Sequence, residues 1–107
     1  MNTREQALDT FLQAPLEGSG YYMNWQDLQR PGDTGGGYEV VAREEGDNGR
    51  WTQHVTIIVK DETDNYFRWS YAEALTEYQE SEFYGGVEQV MRVEKMIPII
   101  TWEKVIA

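Results

Sequence analysis

The chain changes its hydrophobic period several times, and each change predicts an element. Ala7, Leu8, Phe11 and Leu12 recur at helical spacing behind Thr3-Arg4-Glu5-Gln6, a Thr-x-x-Gln capping box. Pro15 ends the run, because the residue before a proline avoids the α region. These signals predict a helix over 4–14, about three turns long. A helix that short is marginal alone and must dock through its apolar stripe. Residues 15–37 have no period and are rich in Gly and Pro; they read as loop, with Tyr21-Tyr22-Met23-Asn24-Trp25 as a short candidate strand. From Tyr38 the period is two, with Tyr38, Val40 and Ala42 alternating with Glu39, Val41 and Arg43. Asp47-Asn48-Gly49 then supplies a hairpin turn, since Asn and Gly tolerate positive φ.

The return strand, 50–60, points Trp51, Val55, Ile57 and Val59 inward and Thr52, His54, Thr56 and Lys60 outward. After the polar turn Asp61 to Asn65, a third strand over 66–71 alternates Phe67, Trp69 and Tyr71 with Tyr66, Arg68 and Ser70. Ser70-Tyr71-Ala72-Glu73 is a second capping box and predicts a short helix over 71–81. That helix would carry Glu73, Glu77 and Glu80 on one stripe, with Ala74, Leu75 and Tyr78 opposite. Gly85-Gly86 predicts a break, and 87–106 is strand-like, with Pro98 marking an edge, a bulge or a break. The predicted fold is a single α+β domain over 1–107. It is a twisted antiparallel β-sheet with an N-terminal helix and one short helix before the last strands.

Composition sharpens this picture. Four Trp, seven Tyr and three Phe supply enough apolar surface for a core and argue against disorder. The absence of Cys excludes disulfides, thiolate metal sites and thiol catalysis, and fits a reducing cytoplasm. Met1-Asn2-Thr3-Arg4-Glu5 has no apolar segment of a signal peptide, and no apolar run approaches the length of a membrane span. With Ile106-Ala107 as its end, the chain reads as a complete small gene product of the cytoplasm.

Charge adds the strongest functional signal. Nineteen Asp and Glu against nine Lys and Arg give a net charge of −10. No basic residue falls between Arg68 and Arg92, a stretch in which Glu73, Glu77, Glu80, Glu82 and Glu88 mingle with Tyr78, Phe83 and Tyr84. Such a surface repels nucleic acid and anionic membranes and attracts basic protein surfaces. Carboxylates at i and i+4 of a helix stand about 6 Å apart, close to the spacing of successive phosphates, so the stripe could imitate a phosphate run. The simpler reading is a solvated helix face. The aromatics divide likewise. Trp51, Phe67, Trp69 and Trp102 fall in strand patterns and read as core, whereas Tyr21, Tyr22, Tyr78, Phe83 and Tyr84 lie in loops or beside acids, as binding-surface aromatics do.

Other candidate chemistry has a plain structural explanation. His54 is the only histidine and lies on the outward face of a strand, without the partners a zinc site needs. Gly32 to Gly37 resembles a phosphate loop but lacks the Gly-Lys-Ser/Thr ending, and reads as a connector. Asp61, Glu62, Asp64 and Asn65 lack the calcium-loop spacing and suit a hairpin turn. A glycosidase-like carboxylate pair is available by inventory, but acids are so abundant that chance pairs are expected.

The segment Tyr66-Phe67-Arg68-Trp69-Ser70-Tyr71, followed by Leu75-Thr76-Glu77-Tyr78-Gln79, resembles short proteins of bacteriophage genomes. In these an aromatic-Arg strand precedes a Leu-Thr-Glu-x-Gln turn and a Val-rich final strand. The resemblance covers about a third of the chain and implies a viral origin. Those proteins have no assigned activity, so no functional residue carries over. Small acidic phage proteins often inhibit host nucleases or other defences.

Together these features lead us to expect a non-enzymatic inhibitor without a cofactor or metal, bound to a basic surface of a host protein such as a defence nuclease. Direct binding of nucleic acid or membrane is not expected. The expected partner-binding residues are Glu73, Glu77, Glu80, Glu82, Tyr78, Phe83 and Tyr84. The alternatives are an immunity-type or accessory subunit that binds without mimicry, and a small carboxylate-based enzyme.

Overall fold

A computed structural model describes residues 2–15, 22–48, 52–75, 81–94 and 100–105. The helix α1 spans Thr3–Gln13. It is followed by a 3-10 turn, Asn24–Asp27, and by six strands: β1 (Thr34–Gly35), β2 (Tyr38–Asn48), β3 (Thr52–Lys60), β4 (Tyr66–Ala74), β5 (Glu82–Glu94) and β6 (Ile100–Lys104). The strands form one antiparallel sheet in the order β1-β2-β3-β4-β5-β6, so each pairs with its neighbour in sequence. The α+β prediction holds.

The helix begins one residue earlier than the Thr-x-x-Gln pattern implies. Asn2 is the cap: its side chain accepts from Glu5 N at 2.8 Å, and Glu5 returns the bond to Asn2 N at 2.7 Å. The inward stripe is therefore Glu5, Leu8 and Leu12, while Ala7 points to solvent. Glu5 is a buried carboxylate with a second task, accepting from Gln89 N of β5 at 2.6 Å. Burial alone would raise its pKa; the two backbone N–H donors outweigh this and hold it below the ordinary glutamate value. One side chain thus caps the helix and fastens it to the sheet.

The aperiodic stretch after the helix is structured. Asn24 N donates to Ala14 O at 3.0 Å and Asn24 Nδ2 to Phe11 O at 2.9 Å, satisfying carbonyls at the helix end. Tyr22 to Trp25 is not a strand: Met23 makes an isolated bridge with Pro15, and Asn24 opens the 3-10 turn. This turn delivers Trp25 and Leu28 into the core. The glycine run is no loose connector either. Thr34 and Gly35 pair with Glu39 and Tyr38, and a Cβ at Gly36, whose φ is +59°, would collide with the Phe11 ring.

The core lies between α1, the 3-10 turn and one face of the sheet. It contains Leu8, Leu12, Trp25, Leu28, Val40, Val55, Ile57, Val59, Phe67, Trp69, Tyr71 and Val87. The inward set of β3 and β4 matches the period-two prediction, and His54 is exposed as expected. The turn residue Gly49 and the predicted core residue Trp51 lie outside the described residues.

The predicted helix over 71–81 is not formed over its first four residues. Tyr71 to Ala74 continue β4, and residues 76–80 lie outside the described residues. A capping box is worth about 1 kcal/mol. Extending β4 completes ladders with both β3 and β5 and buries Tyr71 fully, which outweighs it. Gly85-Gly86 is not a break. Both glycines have positive φ, +79° and +63°, and they sit where the β4–β5 register shifts, so the strand continues through a β-bulge.

Candidate partner-binding surface

Strand geometry scatters the predicted acidic stripe. Glu73 follows Tyr71 and Ala72 along β4 and so faces the helix-covered side. Glu82 pairs with Ala72 and faces the opposite, open side. Glu77, Tyr78 and Glu80 lie outside the described residues. Glu73 is committed to Arg43, which holds it by Nη2. The Arg43 Nη1 also donates to Tyr71 Oη at 2.8 Å and to Gln29 O at 3.1 Å, and Nε to Glu45 at 3.2 Å. This is a structural clamp on the end of the core. Burial raises the Tyr71 pKa against the pull of Arg43.

The aromatics of the predicted site part company as well. Phe83 pairs with Tyr71, turns inward and stacks on Trp25 at 5.8 Å, so it belongs to the packing of the core. Tyr84, next along the bulged strand, is 55% exposed and stacks on His54 at 5.9 Å with a 23° interplanar angle. Tyr22 is also exposed. Trp102, expected in the core, is half-buried on the open face against Tyr66.

The fold instead gathers acids at the other end of the sheet. Two segments far apart in sequence, Thr34 to Glu39 and Lys60 to Asp64, line an open groove of about 460 Å³. Its walls include Glu39, Asp61, Glu62 and Asp64, with Tyr38 and the backbone of Gly36 and Gly37 between them. The Asp61 carboxylate accepts from Thr63 N at 2.8 Å and Asn65 N at 3.0 Å, which shapes the turn. Burial acts to raise its pKa, but the Asn65 and Thr63 donors prevail and lower it. Among the described residues no group of three or more His, Cys, Asp or Glu is arranged to hold a metal ion. Glu39, Glu44, Glu62, Asp64 and Glu82 are exposed and enter no ion pair among the described residues.

Sequence reasoning missed this groove because its two walls were read separately, as a connector and a turn. The available signal was that the glycine run and the acidic turn flank the two ends of one predicted hairpin, and antiparallel pairing brings such ends together. Among the described residues no helix is long and apolar enough to cross a membrane. No known family model, curated protein or solved structure matches the chain.

Proposed function

We propose that this chain is a non-enzymatic, phage-derived inhibitor that docks its acidic surface on a basic surface of a host protein, such as the nucleic-acid groove of a defence nuclease. The observation that carries the reading is the acidic groove end, where Glu39, Glu62 and Asp64 enter no ion pair among the described residues, in a chain of net charge −10. At the opposite end of the sheet two acids, Glu45 and Glu73, are partnered by Arg43. Exposed like charges steer a basic partner toward the groove end and speed encounter. Tyr38 and the glycine backbone supply surface on which a Lys or Arg stem can lie.

The test is capture of a partner from host lysate, with and without nuclease treatment, followed by kinetics with the purified partner. The triple change Glu39→Gln, Glu62→Gln, Asp64→Asn should slow association and weaken binding about tenfold or more, and affinity should fall as salt shortens the Debye length from about 10 Å at 0.1 M to about 3 Å at 1 M. Competition by DNA or RNA supports imitation of nucleic acid; salt dependence without competition supports an immunity-type subunit. A triple variant that binds like the parent at low salt refutes the reading.

A further inference from the structure

Four cations gather on one part of the open face of the sheet, a face that also carries Glu39, Glu44, Glu82 and Glu88. Register places Lys60, Tyr66, Val90 and Lys104 in one row across β3, β4, β5 and β6. Arg68 lies two residues beyond Tyr66 and Arg92 two beyond Val90, so both share this face in the flanking rows. Trp102 sits opposite Arg92, and its ring centroid is 5.0 Å from that of Tyr66. Four cations, in a chain with nine Lys and Arg, therefore surround one aromatic pair above the buried Val90.

Among the described residues, the carboxylate inside this ring is Glu88, which Arg68 grips and Lys104 approaches at 3.6 Å. The Arg68 hydrogen bond holds Glu88 ionised, its pKa lowered against the effect of burial. Glu39 borders the patch beyond Lys60. The Lys104 side chain is 65% exposed, and Tyr66 and Trp102 are each half-buried.

We infer that this face binds a short stretch of single-stranded nucleic acid, its bases stacking on Tyr66 and Trp102 and its phosphates meeting Lys60, Arg68, Arg92 and Lys104. An acidic peptide would use the cations and leave the aromatic pair without a role; a single strand uses both. Lys60 and Lys104 stand three strand spacings apart, about 14 Å, enough for a short single strand to cross. The inference differs from the proposed inhibitor function, which concerns the groove end, although Lys60 borders both, lining the groove opposite Glu39. The net negative charge opposes approach. At about 0.1 M salt the Debye length of about 10 Å is shorter than the patch and confines that repulsion.

The experiment is fluorescence polarisation of labelled oligo(U) and oligo(dT) of about ten nucleotides, within the site sizes of stacking platforms, at about 0.1 M salt with the full chain. Saturable binding is expected. Lys60→Glu with Lys104→Glu should weaken it about tenfold or more, and Trp102→Leu by a similar factor, as loss of one stacked base does. Arg4→Glu with Arg30→Glu makes the same change in net charge at exposed positions outside the sheet, on the helix and after the 3-10 turn, and should alter affinity less than about twofold. Far-ultraviolet circular dichroism and thermal unfolding verify that each variant is folded. Absence of binding by the parent overturns the inference. So does equal binding by the Lys60/Lys104 variant, or equal weakening by the Arg4/Arg30 variant. If polyglutamate displaces the oligonucleotide as well as unlabelled oligonucleotide does, the face is a site for acidic peptides and the inference fails.

Discussion

The two faces of this sheet are made by alternate residues of the same strands, yet they bury their apolar groups in different ways. On the covered face, Trp69 and Tyr71 pack against Trp25 at 6.3 and 5.2 Å, and Phe83 closes the cluster at 5.7 Å from Trp69. Helix α1 and the 3-10 turn lie over these rings. On the open face no helix or turn of the described residues is part of the packing, but Ile58, Ala72 and Val90 are still buried. Their neighbours across the strands include Arg68, Tyr66, Lys104, His54 and Glu82, and long side chains shield apolar surface with their stems while their charged ends stay wet. Burial by a second layer gives a rigid core. Burial by long polar side chains leaves a surface that still presents charge and aromatic rings to solvent, and this is where recognition by the sheet is available.

The sharpest way to break this comparison is to remove one tryptophan from each face. Trp69 is fully buried, so Trp69→Ala should cost about 3–5 kcal/mol in urea unfolding. Trp102 is half-buried against Tyr66, so Trp102→Ala should cost on the order of 1 kcal/mol, the worth of an aromatic pair with partial burial. Equal costs would mean that the open face is core and not a recognition surface.

The next effect concerns what fastens the covering layer. Glu5→Ala removes the cap bond and leaves Gln89 N without its acceptor, and should cost about 2 kcal/mol. Because the folded-state pKa of Glu5 lies below the ordinary value of 4.5, its contribution is fully present above that pH and is lost as pH falls through the folded value. Glu88 and Asp61 shift in the same direction, so thermal stability should decline on acidification below about pH 4.5. Glu5→Gln should shallow that decline. An unchanged pH profile would show that the carboxylate does not anchor the helix.

The smallest contrast separates two glutamates of the predicted stripe. Glu73→Gln should cost about 1 kcal/mol, because Arg43 loses a charged partner at a partly buried site. Glu82→Gln should stay within about 0.5 kcal/mol, as exposed substitutions do. Equal chemical-denaturation midpoints for the two variants would mean that the Arg43 clamp adds no stability.

The strands β3 and β4 were legible because a period of two is local: each residue's neighbours at i±2 report the same face. In β2 the predicted alternation fails after Val40, where a register shift turns Ala42 to the open face and Arg43 inward. The helix was legible from the i, i+3, i+4 spacing of Leu8, Phe11 and Leu12, although the sequence disguised its inner edge, where Glu5 and not Ala7 points inward. A glutamate on an apolar stripe looks like surface until its acceptor atoms have partners, and Gln89 N is distant in sequence. Trp25 and Leu28 escaped notice because irregular backbone carries no period, and the bonds that hold it, from Asn24 to Phe11 and Ala14, follow no repeat.

The candidate site was less legible than the fold. The stripe of Glu73, Glu77, Glu80 and Glu82 depended on a helical period of 3.6, and a strand sends Glu73 and Glu82 to opposite faces. What the sequence by itself determined was the alternation, the helix, the turn chemistry at Asp61 to Asn65 and the acidic net charge, all set by residues acting on near neighbours. Only the tertiary structure decided that 71–74 extend a strand, that the glycine run and the acidic turn form one groove, and that four cations converge on Tyr66 and Trp102. Those outcomes depend on ladder pairing between distant segments, whose summed hydrogen bonds and buried area exceed the roughly 1 kcal/mol that a local signal such as a capping box contributes.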